Sequence, residues 1–139
     1  MFLLDTNVLL AMMSATPTPE VAAWVSRQPV QRLFTAAVCQ AEILAGLAIM
    51  SDGRRRFDLE TAARAMFLED FDGRILPFDS TAAAAYADMF AARRRLGRPG
   101  ATVDLMIAAV ARSQRVSVVT RNVADFADCG VAVVDPWAG

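Results

Sequence analysis

Histidine and lysine are both absent from this chain of 139 residues, and all 14 basic residues are arginines. Without histidine the chain cannot form Ser-His-Asp or Cys-His catalytic systems, or a zinc site that contains histidine. Without lysine it lacks the phosphate-binding lysine of P-loops and any Schiff-base chemistry. If the protein is an enzyme, its polar groups are therefore carboxylates, arginines, hydroxyls and amides, together with a bound metal ion.

Cysteines and long apolar runs are also scarce. Cys39 and Cys129 have a spacing that fits neither a disulfide framework nor a metal site, so we predict that both are buried. The longest clean apolar run, Leu105 to Ala111, is far shorter than the ~18 residues of a membrane span. The first residues carry Asp5 and no positive charge, which argues against a signal peptide. We expect a single cytoplasmic domain over residues 1–139 that is not associated with a membrane.

Short apolar segments alternate with helical patterns along the chain, which predicts an α/β fold with a central parallel sheet of about five strands. The predicted strands cover residues 2–4, 32–35, 74–78, 116–119 and 131–134. The predicted helices cover residues 8–14, 19 to near 29, 36–50, 57–71, 80–96 and a segment with Thr102 as its N-cap. Pro77 indicates that the third strand lies at an edge of the sheet or ends there.

Four acidic residues have unusual surroundings. Asp5 directly follows the first strand and Asp125 follows the fourth, so both are expected on the side of the sheet where α/β folds bind ligands. Glu42 has only small or apolar neighbours three and four positions away, which is unusual for a solvated helical glutamate. Asp104 lies in the first turn of an apolar helix. We hypothesise that these carboxylates meet in one pocket.

Carboxylates that share a pocket repel one another and raise each other's pKa, and a bound divalent cation removes that conflict. Carboxylate and amide oxygens suit Mg²⁺ or Mn²⁺ better than zinc. Because Mg²⁺ also binds phosphate oxygens, the natural reaction for such a site is hydrolysis of a phosphodiester.

Most of these residues also have an ordinary structural explanation, whereas Glu42 is harder to explain by structure alone. Asp5 is a preferred N-cap residue, and an acidic residue such as Asp104 is favourable near any helix N-terminus. Asn122 and Asp125 are common turn residues. The joint pattern favours a functional site more strongly than any one of these residues does.

Four stretches together carry a resemblance to a known family: LLDTNVLL, TAAVCQAEILAGL, VDLMIAAVA and VVTRNVADF. They resemble the signature stretches of PIN-domain ribonucleases, and in particular of the VapC toxins of bacterial toxin–antitoxin pairs. The segments RILPFD and DPW are similar to FitB-like members of that group. The resemblance covers nearly the whole chain.

The resemblance implies a three-layer α/β/α sandwich and an acidic site that binds Mg²⁺, with Mn²⁺ as a substitute. It places Asp5, Glu42 and Asp104 as metal ligands and catalytic residues. The fourth position falls in TRNVADF, where Asp125 and Asn122 are both candidates. The supporting hydrogen-bonding residues would be Thr6, Asn7 and Thr120, together with Asn122. It further implies a homodimer and a hetero-oligomer with a DNA-binding, VapB-like antitoxin, whose C-terminal segment occupies the active-site groove.

Arginine must supply any grip on RNA phosphates, because lysine is absent. The cluster Arg54 to Arg56 is explained most simply as part of a polar break at a solvated helix end. The candidate RNA-binding residues are Arg93, Arg94, Arg98 and Arg121. The aromatic residues do not alternate with arginine, so most are predicted to lie in the core.

The leading hypothesis is a Mg²⁺-dependent endoribonuclease that acts as a toxin. The alternative is a catalytically silent PIN-like module that binds protein and nucleic acid. A phosphatase that forms an aspartyl-phosphate on Asp5 is disfavoured, because Asn7 stands where such enzymes carry a second aspartate and lysine is missing.

Overall fold

The computed structural model describes residues 1–138, which contain one five-stranded sheet. The strands are β1 (Phe2–Leu4), β2 (Leu33–Ala36), β3 (Ile75–Leu76), β4 (Ser117–Val119) and β5 (Val133–Val134). Their order in the sheet is β3-β2-β1-β4-β5, and every neighbouring pair is parallel. The predicted parallel sheet of five strands is confirmed, with the third strand at an edge.

Six α-helices connect these strands. They are α1 (Thr6–Met13), α2 (Pro19–Ser26), α3 (Ala37–Ala48), α4 (Arg54–Ala65), α5 (Ser80–Arg95) and α6 (Thr102–Gln114). The chain moves outward from β1 through β2 to β3, and α5 and α6 then carry it back past β1 to β4. Right-handed crossovers in opposite directions place helices on both faces of the sheet, which gives the predicted three-layer sandwich.

The order in which strands are added to the sheet reverses between β1 and β4, although the strands remain parallel. From β1 the next strands are added on one side, whereas β4 lies on the other side of β1 and is followed by β5. In open α/β sheets, the crevice at the carboxyl ends of two such strands is where ligands bind. The fold therefore favours a site just after Leu4 and Val119.

The core is centred on these two strands and on α6. Leu3, Leu4, Val118 and Val119 are completely buried. The buried residues of α6 are Leu105, Ile107, Ala108, Ala109, Val110 and Ala111, as the apolar run predicts. Both cysteines are buried and unpaired, which confirms their predicted place in the core. Within residues 1–138, no helix is long and apolar enough to cross a membrane.

The starts of two helices differ from the prediction. Helix α1 begins at Thr6 rather than at residue 8, because Asp5 caps it through the Thr6 N–H. Helix α4 begins at Arg54, whereas the sequence predicted a polar break up to Arg56 and a helix from residue 57. The reason is local charge pairing, since Arg54 and Arg56 form salt bridges with acidic residues one turn later in α4.

The end of α4 and the start of α6 also differ. The predicted helix over residues 57–71 is α only to Ala65 and continues as a π-helical turn, Met66–Asp70. The predicted N-cap of α6, Thr102, is instead its first residue, and Ala101 occupies the cap position without a side-chain hydrogen bond. The negative charge of Asp104 in the first turn therefore stands where a side-chain cap is missing, and it interacts favourably with the helix dipole.

Candidate functional site

Asp5 occupies the carboxyl end of β1 at the point where the strand order reverses. Its backbone N–H donates to the Val119 carbonyl at 2.9 Å, which extends the β1–β4 ladder by one residue. The register pairs Leu4 with Val119, so Asp5 lies opposite Thr120. Asp5 is only 4% exposed, although it is an acidic residue. Strand pairing therefore fixes both the backbone and the burial of this carboxylate.

Three hydrogen bonds orient the Asp5 side chain. Its Oδ1 accepts from the Thr6 N–H at 2.7 Å. Its Oδ2 accepts from the Thr120 hydroxyl at 2.8 Å and, more weakly, from the Asn7 amide at 3.4 Å. Each oxygen can still accept another bond or bind a cation, because a carboxylate has about four acceptor positions.

A second layer of contacts holds these donors in place. The Thr120 hydroxyl oxygen accepts from the Asn7 amide at 3.1 Å and from the Asn122 N–H at 3.0 Å. The Oδ1 atom of the Asn7 side chain accepts from the Arg121 backbone N–H at 3.3 Å. The structure thus brings Asn7, Thr120 and Asn122 together around Asp5, with Asn122 contributing its backbone.

Glu42 reaches the site from α3. Its Oε1 accepts a 2.5 Å hydrogen bond from the hydroxyl of Thr6, the residue whose N–H caps Asp5. The residue is exposed, contrary to the expectation that its apolar neighbours would bury it. The reason is that this part of the α3 surface is left uncovered, since Ala45 and Gly46 are exposed as well.

Asp104 and Asp125 belong to two other elements of the fold, helix α6 and the turn that follows β4. Asp104 is half-buried in the first turn of α6, and Asp125 is exposed in a 3₁₀ turn, Val123–Phe126, that follows β4. In the part of the chain that the structure describes, neither side chain accepts a hydrogen bond or forms a salt bridge.

The charges of these residues act on one another. Burial raises the pKa of Asp5, the hydrogen bonds from Thr120 and Thr6 oppose that rise, and the charges of Glu42 and Asp125 add to it. Asp5 is therefore a buried carboxylate that interacts electrostatically with the carboxylates of Glu42 and Asp125.

The pKa of Asp104 is affected by the same group of carboxylates. Burial raises its pKa to about 6, with further contributions from the charges of Asp125, Asp5 and Glu42, while the positive charge of Arg93 lowers it. The charges of the other three predicted acidic residues therefore all act on Asp104.

The donor set fits a hard divalent cation. The four acidic side chains offer carboxylate oxygens as ligands, and none of them forms a salt bridge within residues 1–138. A cation would lower the raised pKa of Asp5 and of Asp104 by neutralising the repulsion between carboxylates. In the same part of the chain, no three acidic or cysteine side chains have already converged on a metal position, so binding requires rotation of side chains. The exposed Asp125, whose side chain has no hydrogen-bond partner in the described chain, is free to make such a rotation.

The four candidate arginines have different surroundings. Arg93 is buried, and it donates from Nε to the Arg98 carbonyl at 2.8 Å and from a terminal nitrogen to the Ala127 carbonyl. Its guanidinium is therefore not available to a phosphate at the surface. Arg98 forms a salt bridge with Asp128.

The other two candidate arginines lie against aromatic rings. Arg94 lies over the Phe90 ring, with its guanidinium carbon 5.9 Å from the ring centre. Arg121 lies over the Trp137 ring at 5.3 Å.

Trp137, which lies against Arg121, is not among the residues that the sequence predicts for the site. It is half-buried in a 3₁₀ turn, Pro136–Ala138, just after β5. The signal that could have identified it is its position after the strand that pairs with β4, because residues after parallel neighbours share one edge of the sheet.

A comparison with protein families decides the assignment. The model of the PIN domain matches residues 2–130. The chain belongs to the PIN-domain family. Among its relatives, the VapC ribonuclease Y4jK of Sinorhizobium fredii is 35% identical over 99% of this chain and 98% of its own length. The toxin FitB of Neisseria gonorrhoeae is 34% identical over 99% of each chain.

Solved structures agree with this family assignment. The structure of FitAB bound to the IR36 DNA fragment has a TM-score of 0.91 and 34% identity, and it covers 99% of this chain and 96% of that one. FitAcB from Neisseria gonorrhoeae has a TM-score of 0.87 and 31% identity, with 99% of both chains covered. The resemblance to VapC-type and FitB-like proteins that the sequence motifs indicated is confirmed.

Proposed function

We propose that this protein is a Mg²⁺-dependent endoribonuclease and the toxin of a type II toxin–antitoxin pair. The observation that carries the proposal is the buried Asp5 carboxylate, which lies where the strand order of the parallel sheet reverses. Three other carboxylates interact electrostatically with it. The proposal is supported by the relatives of the chain, since one is named a VapC ribonuclease and another a toxin.

The residues would divide the work as follows. Asp5 and Asp104 would bind the metal ion directly, and Glu42 would join them from a position fixed by Thr6. When bound, Mg²⁺ would supply the positive charge that lowers the pKa of water and stabilises negative charge on the phosphate. Thr120 and Asn7 keep the Asp5 carboxylate pointed at the site, so little reorganisation is required during the reaction.

Asp125 is the stronger candidate for the fourth acidic position. Its charge is the largest charge contribution to the raised pKa of Asp104, and it also acts on Asp5. Asn122 uses its backbone N–H to hold Thr120 instead. Asp125 is also exposed and without a hydrogen-bond partner in the described chain, so it is available to accept a proton from the attacking water.

The proposed protein partner is a VapB-like antitoxin that binds DNA. Structural relatives are complexes of this kind, including FitAB bound to a DNA fragment. An apolar groove of about 170 Å³ opens beside Glu42, between α1, α3 and α4, and would accept an apolar segment of that partner. Its lining includes Leu10, which is 50% exposed, as well as Met13 and Leu59. A homodimer is proposed on the family resemblance alone.

Cleavage of RNA by the purified protein tests the proposed activity. We expect cleavage of single-stranded RNA with Mg²⁺, loss of cleavage with EDTA, and recovery when Mg²⁺ is added in excess. Asp104→Ala should lack this activity while keeping its fold, as measured by circular dichroism. Cleavage that persists in EDTA or in Asp104→Ala would contradict the proposal.

Neutralisation by the antitoxin tests the proposed partner separately. Leu10→Gln makes the apolar groove polar without adding a negative charge beside Glu42, which also lines it. We expect this variant to cleave RNA normally but to resist inhibition by the antitoxin encoded beside it. Equal inhibition of both proteins would place the antitoxin elsewhere.

The alternative, a silent binding module, is less well supported, because all four acidic positions are filled. Growth arrest separates the two functions. A catalytic toxin should stop growth when expressed alone, whereas Asp5→Asn should not. Equal growth arrest by both proteins would favour the binding module.

A further inference from the structure

Arg121 differs from the other arginines in its place relative to the site. Its backbone N–H donates to Oδ1 of the Asn7 side chain, and it directly follows Thr120, whose hydroxyl donates to Asp5. The backbone of Arg121 is thus attached to two residues that orient Asp5, to Asn7 by a hydrogen bond and to Thr120 by the peptide bond. Its position relative to the carboxylates is fixed at the backbone.

The side chain of Arg121 is exposed, yet it is held by an aromatic ring. Its guanidinium carbon lies 5.3 Å from the centre of the Trp137 ring. Within residues 1–138 it forms no salt bridge. Packing over a ring satisfies the flat face of a guanidinium and leaves its in-plane N–H donors free. Those donors can form a forked contact with two oxygens of a phosphate.

Trp137 is itself held at this edge of the sheet. Its backbone N–H donates to Oδ1 of Asp135 at 2.9 Å, and the turn that contains Trp137 packs against α2. Arg121 follows β4 and Trp137 follows β5, so the pairing of these strands brings the two residues together. The Trp137 ring therefore holds the Arg121 guanidinium in place, and it belongs to a segment that carries no catalytic residue.

We propose that Arg121, supported by Trp137, is a binding subsite for a backbone phosphate of the RNA strand, next to the phosphate that is cleaved. This inference rests on the proposed ribonuclease function. A strand that places one phosphate among four carboxylates is repelled by them, and a fixed positive charge beside the site offsets that repulsion for a neighbouring phosphate. Trp137 acts as a positioning residue, because it acts through Arg121.

The test measures binding of a fluorescein-labelled single-stranded RNA of ten nucleotides by anisotropy. The protein carries Asp104→Asn, which prevents cleavage and leaves the hydrogen bonds of Asp5, Thr120 and Asn7 untouched. We expect Arg121→Gln to weaken binding about tenfold and to reduce the salt dependence by about 0.7 in log–log slope, the value for one phosphate contact on a single strand. Trp137→Ala should weaken binding about threefold to fivefold through loss of the orienting ring.

Arg115→Gln is the matched control. Arg115 precedes β4 as Arg121 follows it, so it is an exposed arginine at the opposite end of the same strand. Its replacement should change RNA affinity less than twofold. A loss of stability alone cannot imitate the expected result, because it would not change the salt slope well below the melting temperature.

Tryptophan fluorescence reports the subsite directly. The chain has two tryptophans, and Trp24 packs in the core against Phe2. In a Trp24→Phe protein, the emission of Trp137 should change when RNA is added and should not change in the Arg121→Gln variant. An unchanged emission with intact Arg121 would contradict the proposal.

The outcomes separate this inference from the proposed function. If the wild-type protein cleaves RNA but Arg121→Gln binds and cleaves RNA equally well, the subsite is wrong and the ribonuclease stands. If the wild-type protein neither binds nor cleaves RNA, the proposed function fails first. If Arg121→Gln loses affinity for a poly-glutamate peptide but not for RNA, the subsite serves an acidic protein segment and the proposal is overturned.

Discussion

The two sides of the acidic site are held in different ways. On one side, three hydrogen bonds fix the Asp5 carboxylate, and Thr120 and Asn7 hold one another around it. On the other side, the Asp104 and Asp125 carboxylates accept no hydrogen bond in the described chain, and the helix that carries Asp104 has no side-chain cap. The first side is preorganised, whereas the second has free acceptor oxygens, which the proposed cation would bind.

This difference has a physical origin. Asp5 lies on a paired central strand, where backbone geometry is set by the ladder and the site can be built from strand ends. Asp104 and Asp125 lie on a helix start and a surface turn, where side chains keep their rotational freedom. A site of this kind combines one rigid ligand with movable ones, so it can adapt to a cation without distortion of the sheet.

The largest expected effect comes from the rigid side. Asp5→Asn keeps a residue that can cap α1 but removes the buried charge. We expect RNA cleavage to fall by about 10³-fold, the loss seen when one preorganised electrostatic group is removed from an active site. Steady-state cleavage of a labelled RNA measures it.

Asp79→Asn is the control for Asp5→Asn. Asp79 is also an aspartate N-cap, whose side chain accepts from the Ala82 N–H at 2.9 Å, but it caps α5 and plays no part in the acidic site. This variant should keep nearly full activity. Similar losses in the two variants would mean that the effect of Asp5→Asn is structural.

The next effect tests the hydrogen bonds rather than the charge. Thr120→Val removes a donor to Asp5 and leaves the Asn7 amide without one of its partners. We expect cleavage to fall by about 10²-fold, because the misplacement of a catalytic group by about 1 Å has that effect. The free energy of unfolding should fall by about 1–3 kcal/mol, measured by urea denaturation.

Thr35→Val separates these two effects. Thr35 is equally buried, but its hydroxyl donates to the Leu4 carbonyl at 2.9 Å and not to a carboxylate. It should lose about 1 kcal/mol of stability with little loss of activity. If Thr35→Val is as inactive as Thr120→Val, orientation of Asp5 is not the cause.

The movable side should respond to pH. The pKa of Asp104 is about 6 in the metal-free protein, and a metal ion binds the ionised carboxylate. Mn²⁺ affinity should therefore increase at least tenfold between pH 5 and pH 7, and change little above pH 7. Isothermal titration at several pH values measures it, and a constant affinity over this range would contradict the account.

The smallest effect concerns stability. A carboxylate whose pKa is raised by folding binds its proton more tightly in the folded state, so the metal-free protein loses stability as pH rises from about 4 to about 6. Asp104→Asn removes this penalty. Since Asp104 is partly exposed and screened by solvent, we expect a gain of about 1 kcal/mol, or about 3 °C in Tm, at pH 7.

Measurement at pH 3 is the control, because this pH lies below the ordinary aspartate pKa of 3.8 and Asp104 is therefore largely protonated in both states. The two proteins should then melt within about 1 °C of each other. A Tm that is lower for Asp104→Asn at pH 7 would show that this carboxylate stabilises the metal-free fold.

Much of this arrangement could be predicted from the sequence. Parallel strands with helical crossovers place Asp5 and the segment after β4 at one edge, and this follows from chain order alone. The apolar run after Asp104 predicts a buried helix with its first turn near the surface. These features depend on local patterns and on rules of topology.

The remaining features depend on contacts between distant segments. The exposure of Glu42 could not be predicted, because it depends on what covers α3 rather than on its neighbours within the helix. The burial of Arg93 depends on the carbonyls of Arg98 and Ala127, which only the fold brings to it. The pairing of Arg121 with Trp137 likewise requires the register of β4 and β5.

A crystal of the wild-type protein soaked in MnCl₂ tests the central claim most directly. We predict one or more anomalous difference peaks within about 2.5 Å of oxygens of both Asp5 and Asp104, with Asp5 in its present orientation and Asp104 turned toward the ion. The absence of a peak at these two carboxylates, or a peak only elsewhere on the surface, would contradict the assignment of this cluster as a metal-dependent active site.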